Sequence, residues 1–125
     1  MNGDYTLSID VEHRFARHTW HVDVTLPRLF DLWEQLANDP HGAGDFDTLI
    51  DLRAVHVALT PDDVRQLADG SKRHADSRRA IVTANDHDYG MMRMLELQAS
   101  FGPRHYAVFR TIEDACLWLG NPGCS

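Results

Sequence analysis

Apolar residues in this chain switch repeatedly between a strand-type and a helix-type spacing, and this alternation constrains the fold more than any other feature. Short apolar segments at 46–52, 80–84 and 106–109 each precede a segment whose apolar residues lie three or four positions apart. This arrangement predicts a strand followed by a helix, three times in succession. Strands connected by helical crossovers lie parallel, and the helices pack on the faces of the sheet. The sequence therefore predicts an α/β fold.

Two strand-like segments precede this series. The first runs over residues 5–11 and the second over residues 20–24, and both carry apolar residues at every other position. The residues between them, Arg14–His18, are interpreted as a short link. Because the two segments lie so close in the chain, they are expected to pair as an antiparallel hairpin.

Four helices complete the predicted architecture. The first follows the potential cap Thr25, and the second begins at Thr60 with Pro61 in its first turn. The third covers residues 89–101, and the fourth begins at Thr111 with a capping-box pattern. The predicted order is β-β-α-β-α-β-α-β-α, which gives a mixed five-stranded sheet with about four helices.

Composition limits the classes of partner. The chain has 125 residues, the length of a single domain over residues 1–125, and its net charge is −7. A net acidic chain is repelled by phosphate backbones, so no nucleic-acid partner is expected. No stretch of about 18 apolar residues is present, and the first residues lack a signal-peptide pattern. These features predict a cytoplasmic protein without a membrane span.

Cysteine and histidine spacing gives no sign of a disulfide framework or a metal site. Cys116 is interpreted as a small core residue and Cys124 as a free thiol in the tail. His18 and His21 lie three apart on a strand-like segment and would point to opposite faces of a sheet. We therefore expect no metal and no cofactor.

Charge is distributed unevenly along the chain. Residues 31–63 contain eight acidic side chains and one arginine, whereas residues 65–79 contain five basic and two acidic side chains. The basic run is interpreted as a solvated helix face and loop. The alternative is that it guides a protein partner or a second copy of the chain.

Five segments, together with the order of elements, resemble the SpoIIAA-like proteins with the STAS fold, in particular the small bacterial STAS/SEC14-type proteins. The segments are Thr48-Leu-Ile-Asp-Leu-Arg53, Leu59-Thr-Pro-Asp-Asp-Val64, Arg79-Ala-Ile-Val82, Tyr89-Gly-Met-Met-Arg93, and Val108-Phe-Arg with Ala115-Cys-Leu-Trp-Leu-Gly120. The resemblance extends over nearly the whole chain. It implies the fold and a non-enzymatic regulatory or protein-interaction module, in a branch whose function is largely unassigned.

One segment departs from the signalling members of that family. Those proteins carry a phosphorylated hydroxyl in an Asp-Ser-Ser/Thr-Gly stretch at the start of the second helix, where this chain has Leu59-Thr-Pro-Asp62. Thr60 is therefore interpreted as a helix cap rather than a site for a partner kinase. The resemblance still implies a protein-binding surface at Thr60, Asp62 and Arg65, or self-association as a homodimer.

The lipid-binding side of the resemblance predicts an alternative, a protein that binds a lipid, a nucleotide or another small molecule. Ligands of open α/β sheets usually bind beyond the carboxyl ends of the strands, which places a pocket between the sheet and the third helix, gated by Tyr89 and Arg93. The predicted ligand-binding residues are Arg53, Asn85, Tyr89, Met92, Arg93 and Arg110. Arg53, Arg93 and Arg110 would together recognise an anion. The competing interpretations are ion pairing of Arg53 with Asp51 and ordinary core packing of the methionines.

A small enzyme is the third and most remote hypothesis. His87 lies between Asp86 and Asp88, which would make a plausible acid–base pair. No nucleophile follows at a recognisable spacing, so a solvated loop with a helix cap is the competing interpretation. The sequence therefore predicts a protein that is not an enzyme.

Overall fold

The structure, a computed structural model, describes residues 3–70, 77–99 and 105–124. Within these ranges the chain forms five strands, four α-helices and a short 3-10 helix over Ala43–Asp45. The strands are β1 (Tyr5–Asp10), β2 (Phe15–Trp20), β3 (Asp47–Asp51), β4 (Arg78–Val82) and β5 (His105–Phe109). The helices are α1 (Leu26–Ala37), α2 (Pro61–Gly70), α3 (Asp86–Ala99) and α4 (Ile112–Leu119). The predicted order of elements is confirmed.

The strands form one mixed sheet in the order β1-β2-β3-β4-β5. β1 is antiparallel to β2, and every later neighbour is parallel. This topology follows from the connections, because only the β1–β2 link is short enough for a hairpin and the others contain a helix. The predicted five-stranded α/β architecture is therefore confirmed.

The two faces of the sheet bury different clusters of apolar residues. The larger, which we call the first cluster, combines Trp20 and Ile81 of the sheet with residues of α1, α2 and α3. The second cluster combines Phe15 and Leu49 with α4 and Cys124. Three helices thus cover one face and a single helix covers the other. The first cluster contains the candidate site described below.

The second strand differs from its predicted position. Residues 15–18 belong to β2, and a turn over residues 11–14 replaces the predicted link, with Arg14 in the left-handed region at φ 51°. Val24 instead forms an isolated parallel bridge with Val57. The alternation of buried and exposed residues over 15–20 is not visible in the sequence, because the β2 side chains that face the first cluster include the small Ala16 and the polar His18.

The assignment of the two cysteines was wrong. Cys116 and Cys124 form a disulfide, with a Cα–Cα distance of 5.4 Å. Gly120 ends α4 in the left-handed conformation at φ 61°, which turns the chain back along the helix. That reversal brings the two sulfurs together, and spacing alone did not reveal it.

The basic run also differs from its interpretation as a solvated surface. Arg78 and Arg79 lie in β4, and Arg79 is only 4% exposed. Residues 71–76 of this run lie outside the described residues. The third helix begins at Asp86, before the predicted Tyr89, because Asn85 caps it, and its predicted end at Phe101 also lies outside the described ranges.

Candidate ligand site

A small cavity lies between the sheet and the three helices of the first cluster, with a volume of about 30 Å³. Its walls are formed by apolar side chains, with one phenol and one guanidinium among them. The lining residues are Val24, Leu29, Trp33, Ile50, Leu52, Leu59, Leu67, Arg79, Ile81, Met92, Leu95 and Tyr106. Helices α1 and α3 each contribute two of these side chains, and α2 contributes one. A space of this size holds about one water molecule.

Arg79 is the charged residue of the cavity wall. It lies in β4 at the second position, beside Tyr106 on β5, and both side chains project from the same face of the sheet. Its Nη1 donates a hydrogen bond to Tyr106 Oη at 3.2 Å, while Nε has no hydrogen-bond partner among the described residues. The guanidinium carbon lies 5.7 Å from the centre of the Trp33 ring and 5.8 Å from that of Tyr106.

The charge of Arg79 is incompletely compensated. None of the ion pairs formed between residues of the described ranges includes Arg79. Burying an ion costs several kcal/mol after relaxation. A hydrogen bond from a charged donor returns about 1.5–3 kcal/mol and each ring contact about 0.5–2 kcal/mol. No carboxylate of the described residues adds to these contacts, and the Arg79 Nε–H and the Tyr106 hydroxyl remain available as donors.

His18 is a second buried polar group near this site. Neither ring nitrogen has a hydrogen-bond partner among the described residues. Burial, and then the charge of Arg79, lowers the pKa of His18 to about 3. The imidazole is therefore neutral at pH 7, and Arg79 remains the source of positive charge in the first cluster.

Trp33 connects the cavity to the surface. Its ring lines the cavity, yet the residue is only half-buried, and Phe30 packs against its outer side with ring centres 5.8 Å apart. Phe30 itself is 43% exposed. Trp33 is therefore a wall residue of the cavity that also reaches the surface beside α1.

The sequence predicted a pocket against the third helix, and Met92 does line the cavity. Tyr89 and Arg93, the predicted gate, do not belong to the described lining of this cavity, and their role as a gate stays a prediction. Tyr89 packs under Arg110, whose guanidinium carbon is 4.3 Å from the ring centre. Arg93 is half-exposed and pairs with Glu96, one turn along α3.

Arg53, Arg93 and Arg110 do not converge on one anion site, because each contacts its own carboxylate. Arg53 binds Asp51 with two hydrogen bonds of 2.9 Å, the ion pair named as the competing interpretation, and Arg110 binds Asp86 at 2.8 Å. Burial raises the pKa of Asp51, but the hydrogen bonds and charge of Arg53 outweigh it, so the net shift is downward. Arg53 and Arg110 follow the carboxyl ends of β3 and β5 and Arg93 lies in α3, whereas Arg79 lies near the amino end of β4.

Asn85 and Asp88 hold the start of α3 against the loop after β3. Asn85 accepts a hydrogen bond from the Asp88 amide at 2.9 Å and donates one to the Asp88 carboxylate at 2.8 Å. The carboxylate, which is fully buried, also accepts from the Val57 amide at 3.0 Å. Asn85 therefore serves as a helix cap in this structure, and its predicted role in ligand binding stays a prediction.

We expect Asp88→Ala to lower the free energy of unfolding by about 2–3 kcal/mol, because it leaves the buried Val57 amide without an acceptor. Asp86→Ala is the matched control, since Asp86 is exposed and contributes only a surface ion pair to Arg110. Urea unfolding of both variants measures the difference. Equal losses in the two variants would show that the buried carboxylate is not what fastens α3.

His87 is exposed in the first turn of α3. Its neighbours are committed elsewhere: Asp86 pairs with Arg110, and Asp88 is buried against Val57 and Asn85. The acid–base pair suggested for an enzyme is thus not assembled among these three residues. The enzyme hypothesis itself stays a prediction.

The predicted protein-binding residues lie at the exposed start of α2. Thr60 Oγ1 accepts from the Asp63 amide at 3.1 Å, and the Thr60 amide donates to the Asp63 carboxylate at 2.9 Å, so Thr60 caps the helix as interpreted. Asp62 pairs with Arg65, and both side chains are exposed. The structure brings Thr60, Asp62 and Arg65 together on one surface, and their binding of a partner stays a prediction.

Arg79, Trp33 and Tyr106 are the site residues that the sequence analysis missed. The sequence did contain a signal for the arginine. Adjacent residues of a strand point to opposite faces of the sheet, so of two consecutive arginines one faces each side. Arg78-Arg79 precedes the apolar segment Ala80-Ile-Val82, so one arginine had to point toward the first cluster. Trp33 was identified only as part of the helical stripe.

Among residues 3–70, 77–99 and 105–124, no group of three or more His, Cys, Asp or Glu side chains is arranged to hold a metal ion. The helices in those ranges also lack the combination of length and apolar character that crossing a bilayer requires.

Comparison with known proteins identifies the fold. No protein-family model matches the sequence, and no curated protein matches it. One solved structure is similar, that of an uncharacterized protein from the DUF3478 family with a SpoIIAA-like fold from Shewanella loihica. It shares 16% sequence identity, with a TM-score of 0.55, over 92% of this chain and 91% of that one. The predicted SpoIIAA-like fold is therefore confirmed.

Proposed function

We propose that this SpoIIAA-like chain is a binding module for small amphiphilic anions, held by the guanidinium of Arg79 and by the apolar walls of the first cluster. The observation that carries the proposal is a guanidinium only 4% exposed, beside a cavity, with no carboxylate partner among the described residues. An oxyanion supplies the missing charge. It thereby offsets the desolvation cost of the buried guanidinium.

The donors around the cavity indicate the head group of the ligand. Arg79 offers an unpartnered Nε–H, and the Tyr106 hydroxyl accepts from Nη1 and keeps its own proton to donate. Two donors on adjacent strands suit the two oxygens of a carboxylate or phosphate. A charge-assisted hydrogen bond of this kind is about twice as strong as a neutral one.

The remaining walls indicate the tail. Leu29, Leu67, Met92 and Leu95 present only apolar atoms to the space next to Arg79. Methionine adapts to irregular shapes at little cost, which suits a wall that must move. A flexible alkyl chain is therefore the tail that these walls favour.

Ligand entry requires the cavity to widen. The empty space of about 30 Å³ is far smaller than the roughly 300 Å³ of a small ligand pocket. The half-buried Trp33 is the wall that reaches the surface, so α1 and this ring are expected to move outward on binding. The ligand is accordingly a slim single-chain molecule rather than a ring system.

The test compares ligands of one length and different heads. Calorimetric titration with octanoate, 1-octanol and octyltrimethylammonium keeps the tail constant while changing the charge. We expect octanoate to bind at least about tenfold more tightly than octanol, which is a difference of about 1.4 kcal/mol, and the cation not to bind. Trp33→Phe should reduce the tryptophan fluorescence change that accompanies binding. Equal affinities for the three molecules, or no binding of any, would refute the proposal.

The sequence also predicts a regulatory role for the surface at Thr60, Asp62 and Arg65. Ligand binding in the cavity is compatible with this role. Ligand uptake could alter the start of α2, because Leu59 and Leu67 both line the cavity. The homodimer, the protein partner, a bacterial source and a cytoplasmic location remain predictions of the sequence. So does the absence of enzymatic activity.

A further inference from the structure

The segment that follows α4, residues 120–124, which we call the tail, folds back along the helix and is linked to it by the Cys116–Cys124 disulfide. Within the tail, the Cys124 amide donates to the Asn121 carbonyl at 3.0 Å, and the Gly123 amide donates to Asn121 Oδ1 at 2.8 Å. The tail is thus a compact turn joined covalently, through Cys124, to Cys116 of α4. Cys124 packs in the second cluster, whereas the cavity lies in the first.

This tail fastens the turn between β1 and β2. Asn121 Nδ2 donates to the His13 carbonyl at 2.9 Å and lies 3.4 Å from an Asp47 carboxylate oxygen. Gly123 approaches so closely that a Cβ there would come within 3.0 Å of Asp10 and of Phe15. A larger residue there would require Asp10 or Phe15 to shift by a few tenths of an ångström. The tail therefore connects the last helix to the first hairpin.

The two cysteines differ in exposure. Cys116 is half-buried, whereas Cys124 is 8% exposed and packs in the second cluster. Both line an open groove with Ile112, Leu117 and Pro122. The disulfide therefore borders this groove, and the sulfur of the more exposed Cys116 is the one that an external thiolate is expected to attack, with Cys124 Sγ as the leaving group.

We propose that this disulfide is a reversible redox site, opened by a dithiol reductant, and that opening it releases the tail from the β1–β2 turn. One thiolate of the reductant attacks Cys116 Sγ, which forms a mixed disulfide and expels the Cys124 thiolate. The second thiol of the reductant then attacks its own sulfur in the mixed disulfide and expels the Cys116 thiolate. The two cysteines gain two electrons and two protons, and the reductant becomes a cyclic disulfide.

Two considerations support a switch rather than a permanent crosslink. In reducing compartments, disulfides that do form are usually catalytic or redox-sensing, and the sequence predicts a cytoplasmic protein. The crosslink also lies at the edge of the fold, so its loss leaves the sheet and the first cluster intact. After reduction the covalent link to α4 is gone, and the described contacts that still oppose release of the tail are the hydrogen bonds of Asn121 and the packing of Gly123 and Cys124.

The experiment treats the native full chain with dithiothreitol and then with iodoacetamide. Intact mass counts the alkylated cysteines, and hydrogen exchange follows peptides covering residues 10–15, 120–124 and, as the internal control, 78–82. We expect both cysteines to be alkylated in folded protein, with exchange at the turn and tail at least tenfold faster and exchange in β4 unchanged. The double variant Cys116→Ser/Cys124→Ser should show the same fast exchange without reductant.

Three results would overturn the proposal. The first is a disulfide that resists reduction until β4 also exchanges, which would make the crosslink purely structural. The second is complete reduction with no change at residues 10–15. The third is the presence of two free thiols in protein that has never met a reductant.

Discussion

Arg79→Met should raise the free energy of unfolding of the ligand-free protein by about 1–3 kcal/mol and at the same time abolish the preference for anionic ligands. The stabilisation is expected because an apolar side chain of similar length removes a buried charge that no described carboxylate neutralises. The loss of preference is expected because Arg79 is the one cationic side chain among the described residues that line the cavity. Chemical denaturation and calorimetry of the same preparation measure the two effects.

Two further variants make this prediction specific. Arg78→Met is the matched control, because Arg78 precedes Arg79 on β4 but is exposed and contacts Trp118 on the other face. It should leave octanoate binding unchanged. The Tyr106 hydroxyl loses its hydrogen-bond donor in Arg79→Met. The double variant Arg79→Met/Tyr106→Phe also removes this hydroxyl, so its free energy of unfolding should be higher still. If Arg79→Met instead destabilises by more than about 2 kcal/mol, the arginine is a structural element satisfied by its aromatic neighbours.

His18→Leu should make the protein much less sensitive to acid. The ordinary histidine pKa is 6.5 and the folded value is about 3, so between these values the unfolded chain binds a proton that the folded chain does not. The free energy of unfolding of the wild type therefore falls as the pH decreases through this window. From pH 7 to pH 4.5 the loss due to this one group is about 2.5 kcal/mol, at about 1.4 kcal/mol per pKa unit.

The comparison between variant and wild type isolates His18, because the carboxylates titrate in both. Leucine has about the volume of the imidazole and removes two ring nitrogens that lack partners, so the variant should also be at least as stable at pH 7. His87→Leu changes an exposed histidine and should leave the pH dependence unchanged. Urea unfolding at pH 7 and pH 4.5 gives both differences. Parallel losses in His18→Leu and the wild type would contradict the burial of a neutral imidazole.

The sequence predicted the architecture well because hydrophobic spacing determines it. The switch in spacing after residue 46 identified β3, β4 and β5 with α2, α3 and α4, and only element ends moved. The errors arose where inward positions carry residues that do not look apolar. Ala16 and His18 concealed β2, and Arg79 gave β4 the appearance of a charged surface.

The candidate site was predicted less well, for a physical reason. The general preference for the carboxyl ends of strands directed attention to Arg53 and Arg110, which instead form ion pairs with Asp51 and Asp86. Met92 was found because it belongs to a helical stripe facing the sheet. The position of Arg79 relative to Trp33 depends on the packing of α1 over β4. Contacts between elements so distant in the chain leave no local pattern in the sequence.

The central claim is that Arg79 receives the head group of a small amphiphilic anion inside the first cluster. The most direct measurement is the NMR signal of the Arg79 Nε–H, assigned by its absence in Arg79→Met, during titration with octanoate and then with 1-octanol. The account predicts a saturable downfield shift of this signal with octanoate and little change with the alcohol. An Arg79 Nε–H signal that stays constant up to saturating octanoate, while the exposed arginine signals shift, would contradict it.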